Sequence, residues 1–228
     1  MLNRIEVVGQ VLECTACELA SGYGGPVFME GRSRVAILGE SLTLEADVVG
    51  RPFAGKSREL LERLLTGAGL EPADLAWVNA VSCATAGPPS LEHLQACAPN
   101  VVVQLDYSGA EFVLVLGRQN LQAMRSDLDM AFGRARPFMV GGRVFFSTYH
   151  PLTALQRRAA EVEMEADVGS FARLVDLGVE RWVEAIPDTC AACSEFVVLF
   201  EESGIGWCQD HRPICDPSLG ESLRLGSH

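Results

Sequence analysis

Two nearly continuous apolar runs, VAILG at 35–39 and EFVLVLG at 111–117, are the feature of this sequence that most constrains its fold. Runs of this kind are typical of parallel strands whose two faces are both covered by helices. Further segments alternate with them, strand-like at 75–81 and 143–149 and helix-like at 57–68, 90–106, 118–130 and 153–177. This alternation predicts an α/β fold in which helices flank a parallel central sheet.

Polar or glycine residues stand where the predicted strands end, namely Glu40, Asn79, Gly117 and His150. In open α/β sheets, ligands bind beyond the carboxyl ends of the strands. A loop-capping role would explain each residue taken singly, but their shared position predicts a ligand site at this edge. The loop after the first strand adds a second acid, Asp47, and an aromatic residue, Phe53, which we expect to be exposed.

The charge of the chain argues against a protein that binds nucleic acid through its bulk charge. The 228 residues carry a formal net charge of −12, so any contact with DNA must depend on a local basic patch. The N-terminal segment lacks the apolar core of a signal peptide, and no apolar run approaches the roughly 20 residues of a membrane helix. We therefore expect a cytoplasmic monomer that does not associate with membranes.

Four of the eight cysteines form a widely spaced set, in which Cys14 and Cys17 are a C-x2-C pair and Cys83 and Cys97 follow far downstream. Without a secretory signal, such a pair indicates metal binding rather than disulfides. Four thiolates suit either zinc or an iron–sulfur cluster. A third interpretation makes Cys83 an ordinary buried core cysteine. The spacing alone leaves these alternatives open.

The other four cysteines lie in a C-terminal tail, and the composition changes at 183–189. We predict one domain over 1–185 and a Cys-rich appendage over 186–228. The spacing of the tail predicts tetrahedral zinc bound by Cys190, Cys193, Cys208 and either His211 or Cys215. With two basic against seven acidic residues, this tail favours a module for stability or for docking a protein partner over a DNA reader.

Several motifs occur in the order seen in one known family. They are Cys14-x2-Cys17; Gly39-Glu40, Asp47, Gly50, Pro52-Phe53 and Gly55 in unbroken register; Asn79 and Cys83 in WVNAVSC; Cys97-Ala98-Pro99; and His150-Pro151. Over about residues 14–158 the chain resembles a family 4 uracil-DNA glycosylase, the iron–sulfur branch of the uracil-DNA glycosylase superfamily.

The resemblance implies a function for the strand-end residues. The protein would be a monofunctional hydrolase that removes uracil, or a related modified pyrimidine, from DNA in base-excision repair or phage DNA metabolism. Phe53 would stack on the extruded base, with Gly39 in the same pocket, and Asn79 would read the pyrimidine edge. His150 would donate to uracil O2, and Glu40 would offset the positive charge on the sugar and orient water, with Asp47 in support.

The resemblance also implies a cofactor and a DNA-contacting surface. Cys14, Cys17, Cys83 and Cys97 would hold a [4Fe–4S] cluster of structural character. Arg157, Arg158 and Thr153 would contact the DNA backbone, and Leu152 or Leu155 would wedge into the base stack. A solvated helix start is the alternative interpretation of the two arginines.

The sequence departs from the family pattern at several positions: Leu42 and Thr43 replace Pro-Gly, Ala46 replaces Glu, Ser57-Arg58 replaces Ala-Gly, and Leu152 replaces Ser. These changes affect the loop around the base and a hydroxyl that would bond phosphate. Two alternatives to the enzyme therefore remain. One is a base-binding protein of the same fold with weakened turnover, and the other is a metal-stapled interaction protein in a replication or repair complex.

Overall fold

The computed structural model describes residues 3–22, 24–42, 51–126 and 128–179, together with two short strands, Val198–Phe200 and Ile205–Trp207. The chain divides into two compact units, Met1–Val175 and Asp176–His228. The two short strands pair antiparallel within the second unit. The predicted boundary near 186 stays a prediction, and Asp47 and the five tail ligand candidates lie outside the described residues.

The first unit is built on a five-stranded sheet. Its strands are β1 (Val35–Leu42), β2 (Ala76–Ala84), β3 (Phe112–Leu116), β4 (Pro137–Val140) and β5 (Arg143–Thr148). The spatial order is β2-β1-β3-β5-β4, and all neighbouring pairs are parallel except β4 with β5. The predicted parallel sheet is therefore confirmed. The unpredicted β4 joins β5 through a two-residue turn in which Gly141 and Gly142 both have positive φ, as in a type I′ hairpin turn.

Seven α-helices accompany this sheet in the described part of the chain: α1 (Arg4–Leu12), α2 (Gly55–Gly67), α3 (Leu91–Ser108), α4 (Arg118–Met124), α5 (Met130–Gly133), α6 (Pro151–Gln156) and α7 (Arg158–Leu177). The two long helical segments predicted over 118–130 and 153–177 are each divided in two. Arg125 and Arg157 take extended φ values of −137° at these breaks. No described helix has the length and apolarity needed to cross a membrane.

The sheet supplies most of the buried core and sets the position of the polar residues. In β1, residues 35–38 are at most 4% exposed, and Phe112–Leu116 of β3 are fully buried. Both β1 and β2 run further than predicted, so Glu40 and Asn79 lie within strands rather than at their ends. The parallel register nevertheless pairs Gly39 with Asn79, which brings Asn79 level with the segment that carries Glu40.

Candidate active site

Glu40 lies beside the backbone at the end of β3. Gly117, which follows that strand, has φ +88° and ψ 162°, a conformation that is essentially restricted to glycine. A Cβ at Gly117 would overlap the Glu40 carboxylate. Burial raises the pKa of Glu40 to about 7, and a hydrogen bond from the backbone N–H of Gln119 opposes that rise. Glu40 is thus a carboxyl group that can change protonation near neutral pH.

His150 caps the N-terminus of α6 and is held in one protonation state. Its Nδ1 accepts a hydrogen bond from the backbone N–H of Leu152 at 3.1 Å. Burial lowers the pKa of His150, which keeps the ring neutral at physiological pH. Because Nδ1 is the acceptor, the proton of the neutral ring lies on Nε2, and His150 presents an N–H donor.

Glu40 and His150 line the same groove, which has a volume of about 210 Å³. Its other lining residues include Gly117, Arg118, Gln119, Tyr149, Thr153 and Gln156. The structure therefore brings together the acid and the histidine that the sequence placed 110 positions apart. A neutral donor and a carboxyl group of raised pKa on one groove form an acid–base site.

A second group of site residues lies around Gly39, which precedes Glu40 in β1. A Cβ at Gly39 would overlap the Phe53 ring and would lie 2.7 Å from Asn79 Oδ1, so both side chains pack directly over this glycine. Successive strand residues point to opposite faces, which explains why Gly39 faces Asn79 while Glu40 is directed towards Gly117. This steric requirement supports the inclusion of Gly39 in the predicted pocket.

Asn79 is only 5% exposed, and its Nδ2 has no hydrogen-bond partner within the part of the chain that the structure describes. An unsatisfied buried amide of this kind is costly unless a ligand supplies the acceptor. Phe53 is half-buried rather than exposed as expected, because its ring packs edge-on against Trp77 with centroids 5.1 Å apart. An amide without a partner and a fixed aromatic ring thus lie side by side.

Asn120, on α4, is a positioning residue that the sequence analysis missed. Its Nδ2 lies 2.8 Å from the carbonyl oxygen of Gly39, 3.3 Å from that of Leu38 and 3.1 Å from that of Leu116. One buried amide therefore joins the residues of β1 just before Glu40 to the end of β3. A polar residue on a predicted helix gave no signal of this role, because the contact spans 81 positions of sequence.

A buried network also missed from the sequence supports the segment before His150. The hydroxyl of Thr148 donates to Asp167 Oδ2 at 2.6 Å, and Arg134 Nη1 donates to both oxygens of that carboxylate at 2.8 and 2.9 Å. The Arg134 guanidinium also lies 5.1 Å from the centroid of the Tyr149 ring. Two consecutive residues before His150 are thereby anchored to α7 and to the segment after α5.

The four cysteines of the N-terminal set approach one region of the fold. Cys83 lies on β2 and Cys97 on α3, both at most 4% exposed and in one hydrophobic cluster. Burial is the main cause that raises the pKa of the Cys97 thiol, and the nearby thiols of Cys17 and Cys14 add to the rise. Across the described ranges, no group of three or more His, Cys, Asp or Glu residues is arranged to hold a metal ion.

The predicted DNA-contacting residues surround the groove at α6. Thr153 lines it, while Leu152 and Leu155 are 51% and 45% exposed. Arg157 and Arg158 are exposed at the junction of α6 and α7, although Arg158 Nη1 pairs with Glu161 at 2.6 Å. Exposed leucines next to exposed arginines form a surface that has both apolar and cationic character.

The fold is that of an α/β protein in which Glu40 and His150 share a groove, and Phe53 and Asn79 pack over Gly39, the residue next to Glu40 in β1. The sequence profile of the Uracil DNA glycosylase superfamily matches residues 26–169, which is more than half of the chain. The chain therefore belongs to the uracil-DNA glycosylase superfamily.

Within this superfamily, the chain is similar to several Type-4 uracil-DNA glycosylases. The chain is 28% identical over 166 residues to a Type-4 uracil-DNA glycosylase of Thermotoga maritima, covering 69% of this chain and 86% of that protein. It is 26% identical to the Type-4 enzyme of Saccharolobus solfataricus, covering 71% and 81%. It is 25% identical to that of Archaeoglobus fulgidus, covering 74% and 92%. The resemblance found in the sequence motifs is confirmed.

Proposed function

We propose that this protein is a monofunctional DNA glycosylase that hydrolyses the N-glycosidic bond of uracil, or of a related modified pyrimidine, in DNA. The observation that carries the proposal is the groove shared by Glu40, with its pKa raised to about 7, and a neutral His150. Membership of the superfamily and the similarity to Type-4 enzymes support it.

The base would be recognised outside the duplex. Extrusion of a nucleotide costs a few kcal/mol, and stacking on an aromatic ring recovers roughly 1–3 kcal/mol. Phe53 provides that ring, and the unpartnered Nδ2 of Asn79 provides a donor for a pyrimidine carbonyl such as uracil O4. The amide oxygen of the same side chain would accept from uracil N3–H.

Hydrolysis would begin with cleavage of the bond between N1 of the base and C1′ of the sugar. The bonding electron pair leaves with the base, and negative charge grows on O2, where the Nε2–H of His150 donates. The ionised carboxylate of Glu40 offsets the positive charge on the sugar and orients water. The water oxygen bonds to C1′, and one water proton passes to the Glu40 carboxylate. The released uracil anion takes up a proton from solvent, and Glu40 returns its proton to solvent. Asp47 is proposed to support this step.

DNA would approach over α6, where a local surface compensates for the acidic net charge of the chain. Leu152 or Leu155 would enter the base stack in place of the extruded nucleotide. Arg157, Arg158 and Thr153 would contact backbone phosphate. The exposure of both leucines and of both arginines supports this assignment.

The N-terminal cysteine set is proposed to hold a [4Fe–4S] cluster. The burial of Cys83 and Cys97 in one cluster and the proximity of Cys97 to Cys14 and Cys17 support a shared site, and the resemblance to family 4 enzymes favours the cluster over zinc. When bound, the cluster would supply structural cross-linking and no step of hydrolysis. For the tail, zinc bound by Cys190, Cys193, Cys208 and either His211 or Cys215 remains proposed from spacing, with a role in stability or partner docking.

The proposed activity is tested by incubating the purified protein with single- and double-stranded oligonucleotides that contain uracil at one position. We expect release of free uracil and strand scission at the abasic site after alkali, and neither product from a matched oligonucleotide containing thymine. Tight binding of the uracil DNA without release would instead establish the weakened binding protein, which the departures at Leu42, Thr43 and Leu152 favour.

Replacement of Gly117 by Ala is expected to reduce uracil release strongly, because the new Cβ would occupy the space of the Glu40 carboxylate. Because this backbone conformation suits only glycine, the alanine is also expected to lower the free energy of unfolding by about 1–3 kcal/mol. Gly109→Ala is the matched control, since Gly109 also has positive φ but has open space around its Cβ. Equal losses of activity in the two variants at equal stability would contradict the packing role of Gly117.

A further inference from the structure

Arg58, on the first turn of α2, is enclosed by partners on every side. Its Nη1 and Nη2 donate to the two carboxylate oxygens of Glu30 at 3.0 and 2.9 Å, and its Nε donates to Glu62 at 2.6 Å. Nη1 also donates to the carbonyl oxygen of Pro52 at 3.2 Å. The side chain is only 12% exposed. Such a fork of directed donors fixes geometry in a way that a lysine cannot.

The hydrogen bond to the carbonyl oxygen of Pro52 bears on the backbone conformation of Phe53. Its carbon atom is one of the four atoms that define the φ angle of Phe53. That angle is +62°, a left-handed conformation that disfavours residues other than glycine. Strained backbone of this kind persists only when the surrounding structure holds it. By holding the peptide plane between Pro52 and Phe53, Arg58 opposes relaxation of Phe53 to negative φ.

The same guanidinium also fixes the aromatic neighbour of Phe53. Its carbon atom lies 4.3 Å from the centroid of the Trp77 ring, against which the Phe53 ring packs edge-on. The backbone of Trp77 is paired with that of Glu30, the acid that Arg58 binds, through bonds of 2.7 and 3.0 Å. Arg58 thus contacts the backbone before Phe53 and the ring beside it, while sharing Glu30 with the edge of β2.

We infer that Arg58 is a positioning residue for base binding, which holds Phe53 in its left-handed conformation against Trp77 and over Gly39. The residue acts through Phe53 and does not itself touch the base. The inference rests on the proposed function, in which Phe53 stacks on the extruded base. It assigns a role to one of the departures from the family pattern, since Arg58 stands where that pattern has glycine.

The test is a double-mutant cycle read out as affinity for DNA that contains 2′-fluoro-2′-deoxyuridine, a uracil nucleotide that resists hydrolysis. Arg58→Gln, Phe53→Ala and the double variant are compared with the wild type. We expect Arg58→Gln to weaken binding about tenfold, within the range of a base–aromatic stack. In the Phe53→Ala background the same change is expected to have no further effect, because the group it positions is gone.

Two controls separate positioning from general stability. Arg143→Gln removes an arginine of β5 whose partners are Asp106 and the carbonyl oxygen of Ala110, neither of which has a proposed part in DNA binding, and it is expected to leave affinity unchanged. Arg58→Lys keeps a cation beside Glu30 and Glu62 but loses the fork that also reaches Pro52. It is expected to retain the melting temperature better than Arg58→Gln and to show the same loss of affinity.

The outcomes distinguish this inference from the proposed function. If Phe53→Ala weakens binding while folded Arg58→Lys and Arg58→Gln bind as the wild type does, Arg58 does not position Phe53. An equal loss from Arg58→Gln with and without Phe53 would also overturn the inference, because it would show an independent contribution. If Phe53→Ala itself leaves affinity unchanged, the stacking role fails, and the role inferred for Arg58 fails with it.

Discussion

Replacement of Glu40 by Gln is expected to lower the single-turnover rate of uracil release by about 10²–10⁴-fold, the usual contribution of a positioned acid–base group. Affinity for uracil-containing DNA should change little, since the carboxylate acts on charge that develops only as the bond breaks. Both quantities are measured on the same oligonucleotide under single-turnover conditions. Glu165→Gln, an exposed residue on α7, is the matched control and should be as active as the wild type.

The pH dependence of this reaction follows from the raised pKa of Glu40. Because the ionised form is the active one, the wild-type rate should rise with pH through about 7 and then level off. Burial lowers the pKa of His150, so its own titration lies on the acidic side of the Glu40 transition. If Glu40→Gln retains full activity in an active protein, Asp47 becomes the candidate for the catalytic carboxylate.

Glu40→Gln, which should lower the rate, is expected to raise thermal stability above neutral pH. A carboxyl group whose pKa is raised by folding leaves stability intact below its unfolded value of 4.5 and lowers it as pH rises to about 7. Glu40→Gln should therefore melt at nearly the wild-type temperature at pH 4.5 and at a higher temperature at pH 8. Thermal unfolding across this range measures the difference. An equal effect of Glu40→Gln at both pH values would show that burial does not suppress ionisation of Glu40.

Replacement of Cys83 by Ser is expected to remove the cluster and to destabilise the first unit. The wild-type protein, purified without oxygen, should be brown and contain about four irons per chain, as a cluster held by four thiolates requires. Cys83→Ser should be colourless and melt at a lower temperature, because a buried site on β2 loses both its ligand and its cross-link. Iron analysis, the visible spectrum and thermal unfolding measure these effects.

Cys193→Ser provides the control for that experiment, since it alters the predicted zinc set of the tail and should leave the iron content unchanged. The wild type is expected to contain one zinc in addition to the iron. Colourless wild-type protein with two zinc ions would contradict the cluster assignment and favour the zinc alternative for Cys14, Cys17, Cys83 and Cys97.

Much of the fold and part of the site followed from local patterns. The apolar runs ending at Gly39 and Gly117 indicated strands covered on both faces, and their alternation with helix-like segments predicted the parallel sheet. Because the carboxyl ends of parallel strands meet at one edge, Glu40 and His150 were expected to converge, and they line one groove. The motif order then predicted the superfamily, which the comparison confirmed.

Only the tertiary structure decided how these residues are held. No sequence pattern indicated that Asn120 would bind the backbone of Gly39, that Asp167 would bind Thr148, or that Arg58 would bind the carbonyl group of Pro52 before Phe53. Periodicity and hydrophobicity record whether a segment is helix or strand and which face is buried. Which distant polar groups meet depends on strand order, on register and on where helices such as α4 and α7 end, and these are set by packing of the whole unit.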